Sequence, residues 1–503
     1  MERWSKQLAK NQWNTSTVYK SNAVHIFWLE KEVFTLANYL SILSIVRFLN
    51  PDQINIHCFD EPMPDKTRYH HWYEEALSSI PNIVIRKLNM EKTKTINEYK
   101  EEILTNQGGI MLPKNGIIIQ NFEKCEEITG DMDDSIAFRN NNHQVKNYEC
   151  QTLDQTRDIR MHQVKSCCIK MKYEIFPHEI LNDNDEFSKI ARELLYGSRN
   201  SVVLENSQRK MPNICHFVWV GGKEMDFLAF LSVLACIYVG KADAVFIHGN
   251  VAPTGSRWSK LNGISSKVKF IHRDLPESVY GNELHNPAHI SDVWRVDLLL
   301  KYGGVYLDWD ALILQPIETL GHYDAIATKD ILLWKPYPFV LNLGVFAAKK
   351  HSKYLRHLKE SMRYFHDQGT YDFVFRYNPC QIPYKVYECY PETLRIDPHL
   401  QVICFEVSCL KKGGYLFDKT LSYFKGKCHP TWSEDFYDLQ KGHEINWKGG
   451  DAFAIHWTYP NPPELQDELS YSSAISSNKT TMALEIANFV IKAASLNLHD
   501  ILK

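Results

Sequence analysis

Hydrophobic residues fall in short runs separated by polar turns, and the runs alternate between strand-like and helix-like lengths. An apolar strand-like run, Ala23-Val24-His25-Ile26-Phe27-Trp28-Leu29, precedes the helix-like stretch containing Leu40-Ser41-Ile42-Leu43-Ser44, and a further strand-like run follows at Ile56-His57. The same succession returns at Ile214-Cys215-His216-Phe217-Val218-Trp219-Val220, Leu231-Ser232-Val233-Leu234-Ala235 and Ile247-His248, each displaced by 191 positions. Further along, Gly108 to Asn115 faces Gly303 to Asp310 at an offset of 195, and both stretches run into an apolar strand that ends in a glutamine, Gln120 and Gln315. A constant spacing across separated blocks predicts an internal repeat, although two α/β segments can also look alike through composition. Strands alternating with apolar helices predict an α/β fold with a mainly parallel sheet covered on both faces.

The first copy loses its likeness after Gln120 and passes through the polar stretch Asp131 to Gln163, while the polar segment from Ser198 to Pro212 marks a boundary. The expected organisation is a degenerate copy over residues 1–197, a linker over 198–212 and a second domain over 213–503. Thr481 to Leu498 carries apolar residues at helical spacing, as a helix docked on the second domain or one lying at a membrane interface would. The longest mostly apolar run, Leu228 to Val239, falls short of the roughly 20 residues a membrane span requires. Met1 to Lys20 is polar, without the apolar stretch of a signal peptide, so the expectation is a soluble chain with no transmembrane segment.

With 44% hydrophobic and 23% charged residues over 503 positions, the chain can bury a substantial core. Its 57 Lys and Arg against 60 Asp and Glu give a net charge of -3, which provides no electrostatic reason to expect nucleic acid as the main partner. The 12 cysteines include no C-x-x-C pair, so a zinc ribbon or thioredoxin-type redox site is unsupported. Neighbouring Cys167 and Cys168 find no explanation in sequence, and the spacings decide no redox compartment.

The candidate chemistry centres on Asp308-Trp309-Asp310. In an extended strand, residues i and i+2 point the same way, so two carboxylates would face one side with Trp309 opposite. Such a pair suits Mg²⁺ or Mn²⁺, which complete their shells with water and substrate phosphates. Asp131/Asp133 and Asp183/Asp185 have the same spacing, but no strand precedes them and they read as solvated loops. Before the central pair lies Ser291-Asp292-Val293-Trp294-Arg295, a helix expected to start near Ser291 and end at Gly303-Gly304. Asp292 and Arg295 share one face of it, either as a surface ion pair or beside the acidic pair where Arg295 could meet phosphate or sugar oxygens.

These residues resemble the glycosyltransferases with a DXD-containing sugar-binding region, family 32, through the Ser-Asp-x-x-Arg helix, the strand Gly303 to Asp310 and the upstream His216/Trp219 strand. The resemblance covers about Pro212 to Pro460 and implies a GT-A-like, Rossmann-like nucleotide-diphospho-sugar transferase fold. It further implies transfer from a UDP- or GDP-sugar with retention, to a glycan, lipid or protein acceptor that the sequence does not identify. Carried onto this chain, His216 and Trp219 belong to the donor site, Trp219 at the nucleotide base, although a strand Trp can equally pack in the core. Asp292 and Arg295 lie at the donor sugar and phosphate, Asp308 at ribose and metal, and Asp310 is the direct ligand of Mn²⁺ or Mg²⁺. His456 is implied as a third metal ligand or a structural histidine, with His429 a competitor, and Asn342 lies near the donor sugar. No separate base is evident, which fits same-face attack.

The first copy departs from this pattern where the chemistry would sit. Pro113, Lys114 and Asn115 replace the acidic triplet, and Asn97 and Lys100 stand at the positions of Asp292 and Arg295. The expectation is a noncatalytic glycosyltransferase-like copy beside an active one. The alternatives are a carbohydrate-binding or scaffold protein that has lost turnover in both copies, and a phosphate-binding hydrolase, which would lack a visible nucleophile. Cytoplasmic residence follows from the soluble reading, and the Golgi lumen from the family resemblance.

Overall fold

Strands buried on both faces read as continuous apolar runs, and in the first half three such strands pair in parallel with one another and with a fourth, partly exposed strand at the sheet edge. The computed structural model describes residues 23–89, 94–120, 122, 135–139, 145–153, 166–204, 210–331, 335–365, 377–404, 427–428, 430–433, 443–457 and 461–502. Two units emerge, Met1–Val202 and Val203–Lys503. In the first, β1 (Ala23–Trp28), β2 (Gln53–Cys58), β3 (Ile83–Lys87) and β4 (Ile110–Leu112) form a parallel set in the order β3-β2-β1-β4. Beyond β4 come β5 (Gly116–Ile118), β6 (Ser135–Arg139), β7 (Val145–Leu153) and β8 (Cys168–Met171), extending the sheet as β6-β7-β8-β5. Helix α1 (Leu36–Phe48) links β1 to β2 and is buried through its first ten residues, while α2 (Ile96–Asn106) precedes β4 behind a Thr95–Glu98 capping box.

The second unit repeats the parallel set with β9 (Ile214–Trp219), β10 (Ala244–Gly249), β11 (Val268–His272) and β12 (Gly304–Leu307), in the order β11-β10-β9-β12. After β12 the chain leaves this sheet. β13 (Ala311–Ile313) joins a separate three-stranded sheet, whereas β14 (Ala325–Lys329), β15 (Leu341–Ala348) and β16 (Arg395–Ile396) complete the seven-stranded one as β12-β15-β14-β16. β17 (Gln401–Cys404) and β18 (Ala454–Trp457) finish the small sheet, in the order β13-β18-β17. Helix α3 (Phe227–Leu234), capped by Asp226, is wholly buried against the core. The terminal apolar pattern forms α5 (Met482–Ala493), after α4 (Pro287–Tyr302), and packs Leu484, Ile486 and Val490 into that core. Among the described residues no helix is long and apolar enough to cross a membrane.

Helix α4 begins four residues before Ser291, because Asn286 accepts from Ala288 N–H as N-cap and Pro287 takes the first helical position. Gly303 and Gly304 then turn the chain, with φ of 69° and 111°. A Cβ on Gly304 would lie 2.3 Å from the Ile214 carbonyl oxygen, so only glycine lets β12 approach β9 this closely.

Contacts at equivalent offsets recur in the two units. His25 Nδ1 lies 2.9 Å from His57 Nε2, and His216 Nδ1 lies 3.1 Å from His248 Nε2. Ser41 donates to the Gly116 carbonyl at 2.7 Å, as Ser232 does to that of Ala311 at 2.5 Å. Isolated bridges join Val33 to Met63 and Glu224 to Thr254. A Cβ at Gly109 would meet the Ala23 carbonyl oxygen at 2.6 Å, matching the constraint on Gly304.

Disulfides join Cys150 to Cys168 and Cys404 to Cys428. Cys167 is also disulfide-bonded, which accounts for the adjacent cysteine pair. Of the two other acidic pairs, Asp185 caps a helix by accepting from Ser188 N–H, and Asp183 uses its carbonyl to accept from Arg192. Asp131/Asp133 lies outside the described residues.

Candidate functional site

The acidic pair sits in a turn and not in a strand as its spacing predicts. β12 ends at Leu307, Ala311 N–H closes the turn on the Asp308 carbonyl at 3.1 Å, and β13 begins at Ala311. The physical reason is the change of sheet. Asp308 N–H donates to Gly344 on β15 at 2.7 Å, whereas the Asp310 carbonyl accepts from Trp457 N–H on β18 at 3.0 Å. Trp309 turns inward, stacks on Phe217 with ring centroids 4.5 Å apart, and donates its ring N–H to the Val218 carbonyl at 2.6 Å. The two carboxylates therefore reach one side by a turn anchored on two sheets.

His456 joins them. Its Nε2 lies 3.1 Å from Asp310 Oδ1 and 3.9 Å from Asp308 Oδ2. The ligand-capable atoms of all three residues lie within 4.8 Å of one another, the one such trio of acidic, histidine or cysteine side chains among the described residues. The 3.1 Å between His456 Nε2 and Asp310 Oδ1 matches the roughly 3 Å between adjacent ligands of an octahedral cation with bonds of about 2.1 Å, and two carboxylates with an imidazole are a donor set that Mn²⁺ or Mg²⁺ accepts. The carboxylates keep 33% and 28% side-chain exposure while His456 keeps 5%, which leaves an open approach from the acidic side. Burial alone would lower the His456 pKa, but Asp310 and then Asp308 outweigh it and raise it above the usual value.

Arg295 stands behind the pair. It contacts Asp292 Oδ1 at 3.1 Å and Asp308 Oδ1 at 3.6 Å, donates to the Leu343 carbonyl at 2.9 Å, and lies over the Tyr306 ring. Tyr306 O–H donates to Asp308 Oδ1 at 2.8 Å. Desolvation works against the Arg295 charge, yet Tyr306, Asp292 and Asp308 together raise its pKa. Burial raises that of Asp292, with Arg295 opposing. The i,i+3 pair is thus buried at 7% side-chain exposure on both sides, and the surface ion-pair reading fails. Asp292 Oδ2, Arg295 Nε and Trp219 Nε1 are buried without a hydrogen-bond partner, although buried polar groups are ordinarily satisfied.

The structure brings Asp292, Arg295, Asp308, Asp310 and His456 together and gives the other candidates different surroundings. Trp219 ends β9 at 9% exposure, edge-on to Trp309 with centroids 4.8 Å apart. His216 is fully buried, with both ring nitrogens engaged inside the protein by His248 and, at 2.9 Å, the Gly303 carbonyl. Burial pushes its pKa down to about 4. Asn342 lies behind the trio, bonded to Asp330, Gly344 and Gln401. His429 lies outside the described residues.

Tyr306, Gly344 and Gln401 belong to the site and escaped sequence reasoning. Tyr306 precedes Asp308 by two strand positions, a spacing that predicts a shared side. Gln401 is a lone amide in the apolar run Leu400 to Cys404, where a buried polar group requires a partner.

At the corresponding place in the first unit, Lys114 pairs with Glu30 at 3.0 Å and with Glu32, and lies over the Trp28 ring. Asn115 donates to the Met171 carbonyl, and Lys100 lies over Phe27. A cleft of about 250 Å³ lies here, bordered by Glu30, Lys100, Lys114 and Lys170.

Residues 197–327 match the model of the family described as glycosyltransferase sugar-binding region containing DXD motif. This stretch thus resembles a glycosyltransferase-type DXD region, and it carries the parallel strands and the acidic turn of the α/β framework described above. Glucan organizing enzyme 1 of Cryptococcus neoformans var. grubii is 32% identical over 122 residues, 22% of this chain and 32% of that protein. The chain therefore spans about a third of the curated relative it matches. Among solved structures, galactosyltransferase LgtC in complex with donor and acceptor sugar analogues is 16% identical, over 56% of this chain and 96% of that one, at a TM-score of 0.30. The glycosyltransferase GlyE of Streptococcus pneumoniae TIGR4 is 10% identical, over 58% and 62% respectively, at a TM-score of 0.32.

Proposed function

We propose that the second unit is a metal-dependent glycosyltransferase that moves a sugar from a UDP- or GDP-sugar to a glycan, lipid or protein acceptor with retention. The observation that carries this reading is the open Asp308–Asp310–His456 trio backed by Arg295, with Arg295, Asp308 and Asp310 inside the stretch that matches a DXD sugar-binding region. Mn²⁺ or Mg²⁺ held by the trio would supply positive charge for the departing diphosphate, usually the largest stabilising contribution in such chemistry. The chain's own residues do the rest. Arg295 holds Asp308 in place and adds a second positive charge beside the leaving group. The unpartnered Asp292 Oδ2 accepts from a donor-sugar hydroxyl, and the unpartnered Trp219 Nε1 donates at the nucleotide end. No residue is assigned as base, and the leaving phosphate takes the acceptor proton.

The first unit is on this reading a duplicated, noncatalytic copy over residues 1–197, joined through 198–212 to the catalytic domain over 213–503. The equivalent strand order and the paired contacts at shared offsets support it, as does Lys114 standing where the other unit has its acidic turn. Hydrolysis of a panel of UDP- and GDP-sugars with and without Mn²⁺ tests the activity. Turnover that requires Mn²⁺ and disappears in Asp310→Ala is expected. Turnover by that variant at the wild-type rate would overturn the metal assignment.

A further inference from the structure

Behind the trio, two side-chain amides are oriented by backbone groups whose polarity is fixed. Gly344 N–H, which can only donate, lies 2.9 Å from Asn342 Oδ1 and so assigns that atom as the oxygen. The Asn342 carbonyl, which can only accept, lies 3.2 Å from Gln401 Nε2, and Asn342 Oδ1 lies 3.2 Å from the same nitrogen. The NH₂ of Gln401 is therefore committed to Asn342, and its Oε1 faces His456 Nδ1 at 3.1 Å. An amide oxygen only accepts, so His456 must carry a proton on Nδ1. The other ring nitrogen, Nε2, points at Asp310 and Asp308. Gln401 is fully buried, and no second orientation of its amide satisfies both neighbours.

We infer that Gln401, itself aligned by Asn342, is a positioning residue that accepts from His456 Nδ1–H and so holds the ring with Nε2 aimed at the carboxylate pair. Asn342 accordingly acts at the site from behind the histidine, through Gln401. β17 and β18 run parallel with Ile403 opposite His456 and Gln401 opposite Ala454, so the amide reaches the imidazole diagonally across the sheet. The inference rests on the metal-site reading for its purpose but not for its geometry, and two measurements separate them.

In the first, the full chain with ¹⁵N-labelled histidine is observed by NMR at mildly alkaline pH without metal, and His456→Asn identifies the resonance. A ring protonated at Nδ1 is expected, whether or not Nε2 also carries a proton toward Asp310. A ring bare at Nδ1 overturns the assignment. In the second, Mn²⁺ binding is titrated by electron paramagnetic resonance. Loss of such an outer partner typically costs 10–100-fold in metal affinity, so Gln401→Leu should weaken binding by about that much. Equal affinity in Gln401→Leu and wild type overturns the inference. A wild-type protein that binds no Mn²⁺ yet shows the Nδ1–H ring would sink the metal reading and leave the positioning role standing.

Discussion

Gly344 offers a sharp test of the site, because its glycine is demanded by space and not by backbone conformation. It lies within β15 and is not among the positive-φ glycines, so alanine meets no backbone penalty there. A Cβ at this position would lie 2.2 Å from His456 Cε1, 2.7 Å from its Nδ1 and 2.8 Å from Asp308 Oδ2. Restoring ordinary contact requires the imidazole to move by roughly 1 Å, several times the ±0.2 Å tolerance of a metal–ligand bond. Gly344→Ala should therefore lose the histidine ligand and disturb the Asp308 carboxylate, weakening Mn²⁺ binding by at least about tenfold. The overpacking should cost about 1–3 kcal/mol, enough to lower Tm by a few degrees while the protein still folds. Isothermal titration with Mn²⁺ beside thermal melting measures both effects. In a His456→Ala background the same substitution should cost much less affinity, since most of the clash is gone. Wild-type Mn²⁺ affinity in Gly344→Ala would refute the close packing of glycine against the trio.

Further expectations follow from burial and covalent linkage. Arg295→Met leaves the Asp292 carboxyl buried without its counter-charge and should destabilise the second unit by about 3–5 kcal/mol, read as a shift in its urea midpoint. A midpoint equal to wild type would mean that Asp292 finds another partner. His216 is held neutral with its pKa near 4, whereas an unfolded histidine titrates near 6.5, so the unfolded state binds more protons between these values and stability falls as pH drops through that window. The shift corresponds to roughly 3 kcal/mol at most, measurable as urea unfolding from neutral to mildly acid pH, and a flat profile in that range would contradict the buried neutral pair. The Cys404–Cys428 bridge spans 24 residues and should contribute about 3 kcal/mol by restricting the unfolded chain, so reductant should lower Tm. Non-reducing peptide mapping of protein from an oxidising compartment should recover this bridge and Cys150–Cys168, and free thiols at all four positions would count against them.

What sequence made legible was local. The Ser-Asp-x-x-Arg spacing placed Asp292 and Arg295 on one helical face because helix periodicity is a short-range property, and the apolar strand Ala454 to Trp457 made His456 visible. The parallel core followed from the alternation of apolar runs. The turn at Asp308 was hidden because residue alternation reports a strand but not which sheet it joins, and β12 and β13 are separated by only that turn. Helix α4 extends back to Pro287 because Asn286-Pro287 caps it earlier than Ser291, whose hydroxyl instead donates to the Ala288 carbonyl. Gln401 had no motif around it. Its importance arises from pairing with a strand more than fifty positions away, which no local pattern encodes.

The change of sheet between β12 and β13 has a mechanical meaning. Asp308 is tethered to the large sheet, and Asp310 and His456 to the small one, so on the proposed metal reading an ion held by all three would cross-link the two sheets. A substitution that shifts one sheet against the other, touching neither ion nor sugar, would then weaken ion binding by moving ligands apart.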